Sequence, residues 1–186
     1  MKRLTRISMI VTFMLAIVFV ATSSVFASDN NNSDVIDEKF GLPKVVYGES
    51  LSEEQKQKVR ELLEINDPEM VLEYIVTAED LVNYINGDPS SNMYSSAKIT
   101  RKDEGHGLVV NIVNPENITQ VTSDMYSNAL LTAGIENAIV DVASPLKVTG
   151  HSALTGIYKA YNVDGESLDQ GRMEVANEEL NVATDL

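Results

Sequence analysis

The chain has 186 residues, no cysteine and a formal charge of −14 at neutral pH. That length suits one domain with a real core, and an acid excess of this size repels phosphate backbones and anionic lipid, which sets aside nucleic acid as a partner. Without a thiol there is no disulfide framework, and with only two histidines a zinc-type site has too few ligands.

The first residues carry Lys2, Arg3 and Arg6 and no acid, and residues 7–21 form an apolar run broken only by Ser8 and Thr12. Small side chains stand at Val25 and Ala27, so residues 1–27 have the order of a cleavable secretory signal. The run of 15 residues is shorter than the ~20 needed to cross a bilayer. Cleavage removes three bases and no acid, leaving 159 of the 186 residues and taking the charge from −14 to −17. The expectation is a protein secreted or associated with the cell envelope on its extracellular side, with no membrane span after cleavage. Residues 28–44 open with an Asn/Asp-rich stretch that lacks a core face and read as a disordered leader. A calcium loop starting at Asp29 fails, because Asp34 and Phe40 stand where Gly and Glu are required.

Ser52 and Gln55 make a capping box for the first helix, whose buried stripe is Val59, Leu62 and Leu63 and whose stop is Asn66-Asp67-Pro68. Residues 70–76 read as a strand, and Thr77 caps a helix through Ile85 that Gly87 ends. Residues 94–102 and 108–114 flank Asp103-Glu104-Gly105-His106-Gly107, the signature of a hairpin, and Pro115 breaks the second strand. Thr122 or Ser123 caps the next helix, with Tyr126, Ala129, Leu130 and Ala133 on one face and Gly134 at its end. Residues 138–143 form a strand. Helices follow over about 152–161 and 168–183, the second with a stripe of Met173, Ala176, Leu180 and Ala183. Residues 45–186 are therefore expected to form a single α+β domain with one N-terminal and two C-terminal helices. The β-α-β-β-α-β order between residues 70 and 143 is compatible with a ferredoxin-like antiparallel sheet.

Several segments carry a resemblance in series. They are Gly48-Glu49-Ser50-Leu51-Ser52-Glu53-Glu54-Gln55, Asn117-Ile118-Thr119, Tyr126-Ser127-Asn128-Ala129-Leu130-Leu131-Thr132-Ala133-Gly134-Ile135 and Val142-Ala143-Ser144-Pro145. The series closes on Val148-Thr149-Gly150 and Ala153-Leu154-Thr155-Gly156-Ile157-Tyr158-Lys159-Ala160-Tyr161. From about Val45 onward the chain resembles the YpuA-like secreted proteins of Gram-positive bacteria, a family whose domain has no assigned function. The resemblance implies export and a single domain, and it brings no activity, cofactor or catalytic residue.

Gly150-His151-Ser152-Ala153-Leu154 approaches a nucleophile elbow, but its fifth residue is Leu, and the two histidines are His106 in the hairpin tip and His151 next to Ser152. Thr149 or Ser152 is instead expected to cap the following helix, with Gly150 leaving the first-turn N–H groups approachable. Thr149, Gly150, Ser152 and Gly156 thus form a candidate recognition segment for a small anion or a neutral acceptor. Gly156 interrupts a helical run, where it costs ~1 kcal/mol against Ala, so close packing or close approach of a ligand must account for it. The adjacent acids Glu53/Glu54, Asp103/Glu104 and Glu178/Glu179 read as solvated surface, and Asp141 as an exposed strand residue on the side of Ile139 and Ala143. No catalytic, cofactor-binding or metal-binding residue is assigned. Two functions stay open: a non-enzymatic exported module binding an envelope or extracellular component, and a small secreted hydrolase using carboxylates and water.

Overall fold

Helix starts in this chain are set locally, before any packing. The computed structural model describes residues 36–185 except 164 and 166; the predicted signal, 1–27, and residues 28–35 of the predicted leader lie outside the described residues. Ser52, Thr77 and Thr122 open α1 (Glu53–Leu62), α2 (Ala78–Ile85) and α3 (Ser123–Ala133). Each accepts from the N–H three residues on, whose side chain returns to the cap, so two otherwise open donors are satisfied. Gly134 ends α3 at φ 97°, a conformation that costs glycine nothing. Helices α4 (His151–Asn162) and α5 (Gln170–Thr184) follow, with Asp169 capping α5.

Strands β1 (Lys44–Gly48), β2 (Leu72–Val76), β3 (Ser96–Arg101), β4 (Leu108–Ile112) and β5 (Ala138–Ala143) form one sheet in the order β2-β1-β3-β5-β4. β1 runs parallel to β2 and β4 parallel to β5, while β3 is antiparallel to both β1 and β5. The class is α+β as expected, but the sheet is mixed, so the ferredoxin-like antiparallel arrangement is not the one observed. Two features account for the difference.

The first is β1, which the sequence pattern does not announce. All five of its residues are buried, including Lys44, which composition assigned to the leader. Val45 and Tyr47 face one side of the sheet and Val46 the other, which is the mark of a strand with neighbours on both edges and cover on both faces. The second feature is that β3 and β4 do not pair, because β5 lies between them. Its sequence AIVDVA turns Ala138, Val140 and Val142 to one core and Ala143 to the other, and it takes the interior position. Asn137, just ahead of β5, holds the opened loop: its Oδ1 accepts from the N–H groups of Gly105 and Gly107 at 3.0 Å, and its carbonyl accepts from Lys102.

The two faces of the sheet are covered unequally. Val46, Ala97, Ile99, Val140 and Val142 meet α2, α3, α4 and α5 in one continuous core. On the other face, Val45, Tyr47 and Ala143 pack under Val59 and Leu63, at and just beyond the end of α1. Arg60 of α1 donates through two nitrogens to Glu73 of β2 at 2.9 and 2.8 Å, and the Tyr47 hydroxyl donates to the same carboxylate at 2.6 Å. Lys98 donates to the carbonyl of Leu63 at 2.7 Å and lies 3.4 Å from Asp141, which also accepts from Asn111 at 2.8 Å. The expected exposed Asp141 is therefore corrected: its side chain is only 14% exposed and is held by a cation. Among the described residues, no helix is long and apolar enough to cross a membrane.

Candidate functional site

The predicted recognition segment forms the start of α4, with a geometry other than the one expected. Gly150 occupies the cap position at φ 109°, and no side chain caps the helix, so neither Thr149 nor Ser152 plays that part. The reason is the path of the chain. The Thr149 carbonyl is tied to the N–H groups of Gln120 and Val121, and only a left-handed residue then turns into the helix. Ser152 is drawn sideways, its Oγ accepting from the Ser95 N–H at 3.1 Å and donating to Ser95 Oγ at 3.0 Å. A Cβ on Gly150 would lie 2.8 Å from both Ile118 Cγ2 and Tyr126 Oη, and the Tyr126 hydroxyl donates to the Gly150 carbonyl. One on Gly156 would sit 3.3 Å from Val46 Cγ1, so this glycine lets α4 lie close on β1. The four residues lie on α4 or just before it without converging: Thr149 is exposed, Ser152 half-buried, and Gly150 and Gly156 are buried.

Both histidines have local surroundings. His106 is exposed in the loop between β3 and β4. His151 is half-buried, with Nε2 3.3 Å from Thr184 Oγ1 at the end of α5, and burial lowers its pKa from 6.5 against the opposing charge of Asp185.

Glu73, Asp80 and Asp141 are each engaged by a cation. Hydrogen bonds from Arg60 hold the Glu73 carboxyl below its ordinary range, while burial and this acid together push the Tyr47 hydroxyl up. Asp80 closes the cap of α2 and accepts from Lys159 of α4 at 2.7 Å. The adjacent acids lie on the surface, with Glu53 paired to Lys56 and Asp103 to Lys39. Among the described residues, no group of three or more His, Asp or Glu could hold a metal ion.

A groove lies between α3 and α5. The predicted stripe of α3, Tyr126, Ala129, Leu130 and Ala133, does enter the core. Apolar residues outside that stripe are then left over. Leu131 is 46% exposed, and on α5 Val175 and Val182 are exposed at 49% and 64%. A groove of about 450 Å³ runs between the helices, lined by Met125, Ala129, Leu131, Leu180 and Ala183 with Thr132 and Glu179 among the polar residues. Thr132 donates to Glu179 at 2.8 Å, bridging the helices, and Arg172 donates to the carbonyls of Thr132 and Leu131 where α3 ends. The sequence held a sign of this surface in the adjacent pair Leu130-Leu131. At about 100° per residue, a stripe of Tyr126, Ala129, Leu130 and Ala133 leaves Leu131 pointing away from it.

Comparison with known proteins agrees with the resemblance seen in the sequence. The family described as "Protein of unknown function (DUF1002)" matches residues 47–186. One relative, "Uncharacterized protein YpuA" of Bacillus subtilis (strain 168), is 38% identical over 156 residues, which are 81% of this chain and 52% of the relative. The chain thus spans about half the length of that relative. No solved structure matches. With nearly all of the described sheet and all five helices inside the matched range, the chain belongs to this YpuA-like family of proteins of unknown function.

Proposed function

We propose that the protein is exported and acts outside the membrane as a non-enzymatic binding module of the cell envelope. It docks an apolar segment of another envelope or extracellular component in the α3–α5 groove. The observation that carries this reading is the groove itself, lined by small and apolar side chains together with polar groups, with Leu131 left exposed outside the core. Export is supported by the signal-like order of residues 1–27. The non-catalytic part is supported by the engagement of Glu73, Asp80 and Asp141 by cations, which ties each of these carboxylates into the fold.

The test places a photo-crosslinker at position 131 in secreted protein and a control crosslinker at Glu61, exposed on α1. Illumination in an envelope fraction should give a discrete adduct from position 131 alone. Equal adducts from both positions, or none from 131, would refute the docking reading. N-terminal analysis of the same material should begin at Ser28, and a retained Met1 would refute export by cleavage.

A further inference from the structure

We infer that the segment received by the α3–α5 groove is a cationic amphipathic helix. This rests on the docking reading above and adds the chemistry of the partner. The floor supplies the apolar half of the match. Met125 and Ala129 lie one turn apart along α3, and Leu180 and Ala183 line the groove from α5. Small residues on that floor leave room for side chains three or four apart on an incoming helix, and methionine adapts its shape to them.

The rim supplies the charge. Glu179 lines the groove, and Asp124 and Glu178, exposed and next in sequence to the lining residues Met125 and Glu179, add negative charge near it. The only base in either helix is Arg172, whose guanidinium is engaged on the two carbonyls that end α3. The field over the groove is therefore negative, in a chain of formal charge −14. A second copy would bring the same acids against these, and like charges facing across an interface oppose pairing. Anionic lipid is repelled for the same reason. A helix with a leucine-rich stripe flanked by lysine or arginine meets both the floor and the rim.

The probes are two peptides of roughly 18 residues, long enough to hold helix, that share one leucine stripe and carry either lysine or glutamate on the polar face. They are titrated into the mature chain and followed by amide NMR. The Leu/Lys peptide should shift Ala129, Leu131, Leu180 and Ala183 and bind at least tenfold more tightly than the Leu/Glu peptide. Leu131→Asp adds negative charge yet should weaken Leu/Lys binding at least tenfold, because the apolar contact is lost; Leu131→Ser serves if that variant folds poorly. Glu178→Gln with Glu179→Gln should weaken it several-fold. If the Leu/Glu peptide binds the groove equally well, the charge assignment fails while docking stands. If Leu131→Asp and Leu131→Ser bind the Leu/Lys peptide as the parent does, or if neither peptide shifts the groove, docking and inference fail together.

Discussion

Helix α4 buries Ala153, Leu154, Thr155, Gly156, Ile157, Tyr158, Ala160 and Tyr161, whereas the longer α5 buries only Met173, Ala176 and Leu180. The first lies on β1, β2 and β3 with α2 alongside, so almost every direction from its axis meets protein. The second packs on α3 and α2 and turns its remaining surface outward. Sequence features that draw the eye, two glycines and a Gly-His-Ser triplet, sit on α4, where they serve close packing. The groove proposed as a docking site sits on α5 and its neighbour α3, whose pattern is ordinary. A glycine in a helix can report the nearness of another element as readily as that of a ligand, and the contacts of its absent side chain decide which.

The contrast should show first in stability. Leu154→Ala empties a fully buried site on α4 and should cost about 3 kcal/mol, while Val182→Ala on α5 should change stability by less than ~0.5 kcal/mol. Urea denaturation of the two variants checks this, and similar midpoints would erase the distinction between the helices. Gly156→Val presses branched methyls against Val46 and Val76 and should cost about 2 kcal/mol. An unchanged midpoint there would mean that α4 does not lie as close to β1 as described.

Ser152→Ala removes the hydroxyl that joins α4 to Ser95 and should cost about 1 kcal/mol. Should this variant instead abolish a hydrolysis while its stability holds, the non-enzymatic proposal would be wrong. The smallest effect is at the contact between the two helices, where His151 meets Thr184. Its pKa is lowered in the folded chain, so the unfolded chain takes up the proton more readily. The contribution of neutral His151 is complete above its ordinary value of 6.5 and is lost as pH falls through the lower folded value. His151→Gln should flatten that part of the stability profile on the acid side of 6.5, and an unaltered profile would place the sensitivity elsewhere.

Legibility in the sequence tracked how local each cause was. Ser52 with Gln55, Thr77 and Thr122 mark helix starts that depend on a few neighbouring residues, and the structure starts its helices there. The strand at Ala138–Ala143 was marked by an apolar run between breakers. The strand Lys44–Gly48 was missed because five residues beside a polar leader carry too little pattern, and its identity depends on partners more than 20 residues away. The loop at Asp103–Gly107 has every local mark of a hairpin, yet pairing was decided by β5, which is distant in sequence. The expected cap at Thr149 or Ser152 failed for a similar reason, since Ser95 holds the Ser152 hydroxyl and the segment around Gln120 holds the Thr149 carbonyl, leaving Gly150 at the cap position. The groove was partly visible in Leu130-Leu131, but the side of α3 that α5 leaves open is a tertiary fact.

The loop held by Asn137 also sets an order of events in time. Strands β3 and β4 are consecutive in the chain, while β5 follows only after α3. A hairpin closes within microseconds, and the turn between β3 and β4 favours their direct pairing. That early pairing occupies the edges that β5 must later take on both sides. The two strands must separate again, or stay apart, until residues 138–143 arrive, so the fast local product competes with the native sheet and the fold is completed from its middle.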